Sequence, residues 1–182
     1  MFESAIISPV IVARPEPGEY APYFERYISL IPGADILGTL DSQRRQMLLL
    51  LSGRDESDAD FRYASDKWTV KELLGHVCDT ERIFAYRILR IARGDRTPIE
   101  GFEQDDYVRN GPARVPWCEI IDDYIAVRRA TLTLLRNLDE QAWTRRGIAN
   151  KNEVSVRALA YTIAGHELHH RRILEQNYFA AK

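Results

Sequence analysis

The four histidines of this 182-residue chain fall in two short segments, His76 in LLGHVCDTER and His166, His169 and His170 in AGHELHHRRIL. Imidazole is a common ligand for divalent transition metals, and a helical i, i+4 pair sets two rings one turn apart on one face, close enough to share an ion. The stripe Val156, Leu159, Ile163, His166, His170, Ile173 advances in steps of three and four, so two imidazoles stand where core residues belong. His169 falls on the neighbouring polar stripe with Thr162, Gly165, Arg172 and Gln176, toward the edge or solvent. On the other segment His76 shares a face with Leu73, Thr80 and Ile83. Three inward histidines would each need partners for their ring nitrogens, and one shared ion satisfies all three. His76, His166 and His170 are therefore the predicted metal ligands. Three neutral ligands leave the ion its full charge and an open position. It could lower the pKa of a water to about 7 for hydrolysis, or stabilise the thiolate of a small thiol cofactor for attack on an electrophile.

Other residue types near these segments could take part. Asp79, three positions after His76, and Asp105 are candidate proton acceptors, with Asp106 as an alternative. Tyr107 and Trp117 are candidates for binding a cofactor near the ion. Glu167 resembles the glutamate of the zinc-protease helix only superficially, because in His-Glu-x-x-His-His the second ligand of that motif would be His169, which lies on the polar face. Cys78 is about 200° around the helix from His76 and reads as a small core residue. Paired arginines at 44/45, 128/129, 145/146 and 171/172 read as solvated faces.

The elements that must position these groups are helical. Tyr20, Tyr23, Phe24, Tyr27, Ile28 and Ile31 predict a short helix ending at Pro32 and Gly33. A first long helix runs from about Asp35 on Leu37, Leu40, Met47, Leu48 and Leu51 and stops at Gly53. After a polar stretch, Arg54 to Lys67, Thr69 and Glu72 have the spacing of a capping box for a second helix reaching about Arg93. Residues 94–116 hold three prolines and three glycines, which predicts a long irregular connection. A third helix spans about Trp117 to Leu138 on Ile121, Tyr124, Ile125, Arg128, Leu132 and Leu135, followed by a polar connection from Asp139 to Glu153. Ser155 caps a fourth helix to about Asn177. No sustained period of two is present. The expected fold is all-α, a four-helix bundle with a long connection between helices two and three. The rings of His76, His166 and His170 meet only if helices two and four are antiparallel. A parallel pairing separates them by roughly 10 Å at 1.5 Å rise per residue.

Composition narrows the function classes. The net charge of −2, from 25 basic and 27 acidic residues, supplies no field for nucleic acid or an anionic membrane. Two cysteines without Cys-x-x-Cys spacing suit a reducing compartment, so a cytoplasmic location is expected. Residues 1–20, broken by Pro9, Pro15 and Pro17, show no export signal or membrane span and read as an irregular start to one domain over residues 1–182. The expected partner is a small-molecule substrate.

The runs KWTVKELLGHVCDTERIF, GFEQDDYV and GHELHHRRIL, in this order and spacing, resemble the DinB/YfiT-like family of metal-dependent bacterial proteins from about Tyr23 to Gln176. The resemblance implies an up-down-down-up bundle and a three-histidine site whose ligand positions fall on His76, His166 and His170. It also implies zinc or nickel, frequent homodimers, and reactions that include thiol-dependent transfer or isomerisation with mycothiol or bacillithiol, and hydrolysis. The expectation is a metal-dependent S-transferase or hydrolase. The alternative is a non-catalytic metal-binding dimeric bundle.

Overall fold

The computed structural model describes residues 11–111 and 115–180. The first ten residues of the expected irregular start lie outside that range, and residues 11–20 within it carry no helix or strand. The helices in chain order are α1 (Glu25–Ile28), α2 (Ile36–Leu51), α3 (Glu56–Ala59), α4 (Val70–Ala92), α5 (Gln104–Arg109), α6 (Trp117–Arg136) and α7 (Val156–Ile173). Strands β1 (Arg146–Ala149) and β2 (Asn152–Ser155) form a hairpin between α6 and α7.

Local chemistry starts the long helices where their first turns need acceptors. The Asp35 carboxylate accepts the Gly38 N–H at 2.8 Å and opens α2. At α4 the capping box is complete, with the Glu72 N–H donating to Thr69 Oγ1 at 3.1 Å and the Thr69 N–H donating to Glu72 Oε2 at 2.7 Å. Ser155 Oγ accepts the Ala158 N–H at 3.1 Å at the start of α7. Such caps satisfy donors that the helix itself leaves unpaired.

Two apolar clusters fix the helix directions. One gathers Ile36 and Leu40, Ile88 and Ile91, Leu132 and Leu135, and Val156 and Leu159. The other gathers Met47 and Leu51, Val70 and Leu74, Trp117 and Tyr124, and Leu174 just beyond α7. Helices α2 and α7 thus run from the first cluster to the second, while α4 and α6 run the opposite way. The bundle is up-down-down-up, and α4 and α7 are antiparallel.

Arg128 ties all four helices together and is fully buried. From α6 it donates through Nε (2.8 Å) and Nη2 (2.7 Å) to the Glu81 carboxylate on α4. Its Nη1 donates to the Leu40 carbonyl on α2 at 2.9 Å, and Glu167 on α7 lies 2.5 Å from Nη2. Burial alone would drive a proton off, yet the two carboxylates hold Arg128 well above its ordinary range. The expectation of a solvated face is overturned at this position. Arg128 follows the apolar spacing of α6, and two carboxylates meet it there.

Two connections carry more structure than the sequence suggests. The stretch 94–116 contains α5, and the polar stretch 139–153 contains a 3-10 turn, Glu140–Thr144, and most of the hairpin. Its turn is made by Asn150 and Lys151, both at positive φ (48° and 63°), the geometry a tight hairpin requires. Four-residue strands leave too short an alternation for a period of two to register.

Gly165 sets the contact between α1 and α7. A Cβ there would stand 2.0 Å from the Tyr27 carbonyl oxygen. Ordinarily a helical Gly→Ala change stabilises, by up to about 1 kcal/mol. Here Gly165→Ala is expected to destabilise by about 1–3 kcal/mol, because backbone must move to admit the methyl group. A denaturation midpoint at or above that of the wild type would show that α1 does not press on this glycine.

Candidate metal centre

His76 lies in the second turn of α4, and His166 and His170 lie one turn apart near the end of α7. Antiparallel packing brings the three rings together. His166 Nε2 lies 3.1 Å from Nε2 of His76 and 3.1 Å from Nε2 of His170. All three ligand atoms fall within 4.8 Å of one another, and all three residues are buried. A neutral imidazole has one ring proton, so three Nε2 atoms pointing at one spot cannot all be satisfied by each other. Zinc–nitrogen bonds of about 2.05 Å at tetrahedral angles place ligand nitrogens roughly 3.3 Å apart. The donor set fits a single divalent ion, with no fourth His, Cys, Asp or Glu in the group among the described residues.

Electrostatics keep these rings ready to coordinate. Burial pushes His76 down to about 4, with only partial opposition from the Asp105 charge. Burial also holds His166 and His170 well below the usual histidine range, and the neighbouring histidines add to the effect. The rings are neutral at neutral pH, with lone pairs available. Aromatic rings frame them. Trp68 stands 4.9 Å from His76, and Tyr27 stands 5.3 Å from His166 in an edge contact.

A cavity of about 400 Å³ opens onto His76 and His166 between α1, α4, the start of α5 and the hairpin. A smaller recess of about 270 Å³ reaches His170 past Trp68 and Tyr178. Asp105 borders both.

The remaining candidates are placed differently. Asp79 faces Arg82 at 3.6 Å and borders neither cavity, and burial raises it above the usual aspartate range. Asp106 pairs with Arg109. Tyr107 is half exposed and meets Phe102, a residue of the cavity wall, edge-on at 5.2 Å. Trp117 is buried in the core, its backbone N–H donating to Glu56 Oε2 at 2.9 Å, and does not border the cavity. Glu167 faces Arg128 in the core, which removes the zinc-protease reading. His169 lies outside the three-nitrogen group, edge-on to Tyr27 at 5.6 Å. Cys78 is buried in the core and its thiol is pushed far up by burial.

Sequence reasoning passed over Arg87, which is buried in the cavity wall with Phe84 and Phe102. A faint signal exists, since His76, Thr80, Phe84 and Arg87 are spaced by four, four and three on one face of α4.

An up-down-down-up helical bundle with three converging histidines, contributed by its second and fourth long helices, defines a recognisable class. The sequence matches the DinB superfamily over residues 39–174, and the chain belongs to that family. In fold it is similar to YfiT from Bacillus subtilis, described as a probable metal-dependent hydrolase with an unusual four-helix bundle topology. The TM-score is 0.64 at 15% identity, covering 89% of each chain. No curated protein matches the sequence. No described helix is long and apolar enough to cross a membrane.

Proposed function

We propose that this chain is a metal-dependent enzyme in which His76, His166 and His170 hold one divalent ion, zinc or nickel. The carrying observation is the convergence of three buried, neutral Nε2 atoms on the end of a cavity large enough for a small molecule. The description of YfiT as a probable metal-dependent hydrolase supports this reading. An open side on the three-nitrogen group favours catalysis over a closed structural site.

A bound ion would supply Lewis acidity to a water or to a small thiol. The chain's own groups do the rest. Tyr27 and Trp68 frame the rings, and Asp105, at the border of both openings, is the proton acceptor in this proposal. Between the two chemistries we favour thiol transfer, with hydrolysis second. Cobalt-substituted protein separates them. A low-molecular-weight thiol such as bacillithiol is expected to add a thiolate-to-cobalt charge-transfer band, absent in His166→Ala. A spectrum unchanged by any thiol, alongside hydrolysis of an ester panel, would replace transfer with hydrolysis.

A further inference from the structure

Arg87 is 4% exposed and lines the same cavity as His76 and His166. Its Nη2 donates to the Glu100 carbonyl at 3.1 Å, while its Nε is buried without a hydrogen-bond partner. Thr80 Oγ1, in the same wall, is also buried and unpartnered. Other arginines of this bundle have carboxylates. Arg82 meets Asp123, Arg90 meets Asp95 at 2.6 Å, and Arg128 meets Glu81 and Glu167. Arg87 meets none within ion-pair distance among the described residues, and burial is the influence that lowers its proton affinity. A guanidinium stays charged in proteins, and a buried charge without a counter-ion is costly. That cost is removed when a ligand brings the counter-ion.

We propose that Arg87 is the anion-recognising residue of the substrate cavity, binding a terminal carboxylate or phosphate while the reactive end of the substrate lies at the three histidines. The polarity of the cavity sets this orientation. Asp105, which borders the openings onto both His76 and His170, places negative charge at the histidine end, so that without a metal ion an anion is favoured at Arg87. The guanidinium carbon sits 5.4 Å from the Phe84 ring, one turn nearer His76, so Arg87 leans back along α4 toward the histidines. Eleven residues of helix separate the two Cα atoms by about 16 Å, which sets the scale of the reach from reacting atoms to anion. Phe84, Phe102, Phe24 and Tyr27 make the stretch between them aromatic. The substrate class is thus a small molecule with an apolar middle and one oxyanion end.

This inference deepens the enzymatic reading of the same cavity and rests on it only for the identity of the reacting end. Calorimetry on metal-free protein, where no ion can attract an anion, compares 4-phenylbutyrate, 4-phenylbutyl phosphate and the neutral 4-phenylbutan-1-ol. At least one anion is expected to bind wild type about tenfold or more tightly than the alcohol, the preference of a charge-assisted pair. Arg87→Gln should lose that preference and Arg87→Lys should keep part of it. Whichever anion binds tighter identifies the substrate group as carboxylate or phosphate. Equal binding of acid and alcohol to wild type, no binding of any of the three, or a preference that survives in a folded Arg87→Gln would overturn the proposal. The wild-type comparison decides even if Arg87→Gln does not fold. Failure of the metal reading shows separately, as a wild type that takes up no zinc yet still prefers the anion.

Discussion

His166→Ala is expected to abolish stoichiometric uptake of zinc or nickel, whereas His169→Ala retains one ion per chain. His166 Nε2 is the middle donor, 3.1 Å from both other Nε2 atoms, so its removal leaves only two of the three donors. Loss of an outer partner of a metal ligand already weakens binding about 10- to 100-fold, and loss of a ligand should exceed that. Elemental analysis of protein purified without an affinity tag and dialysed against each metal provides the measurement. His169 is the internal control, because it lies on the same turn of α7 but outside the three-nitrogen group. Equal uptake by His166→Ala and wild type would sink the site.

The largest stability effect is expected at Arg128→Met. The substitution keeps much of the side-chain volume but leaves Glu81 and Glu167 facing each other in the core without a cation. Removing one member of a buried ionic group costs about 3–5 kcal/mol, chiefly through the uncompensated charge left behind. The triple change Glu81→Gln, Arg128→Met, Glu167→Gln removes that charge and should recover most of the loss. Urea denaturation of the two variants tests the account. A single variant within about 1 kcal/mol of wild type would mean that Arg128 contributes little beyond its packing.

The long helices were legible because their signals are local and periodic. The Thr69–Glu72 capping box and the Ser155 cap appear where the spacing placed them. His166 and His170 were visible as polar intrusions in an apolar stripe, and antiparallel pairing followed from their positions along the helices. What stayed hidden depends on partners distant in sequence. Arg128 stood at an inward position, but its two carboxylates come from α4 and α7, 47 and 39 residues away. Arg87 differs from its neighbours Arg82 and Arg90 in its burial and in having no carboxylate beside it, and the second difference is one that no one-dimensional pattern reports. The hairpin turns on Asn150 and Lys151 rather than an Asn-Gly pair, so its usual signal is missing.

His76 and His166 touch across 90 residues of chain. That contact completes only when α4 and α7 have both docked. Neither helix alone carries the three donors. An ion shared by these rings would therefore recognise the finished fold and ignore the unfolded chain, and its supply would govern how much of the protein survives in its native form.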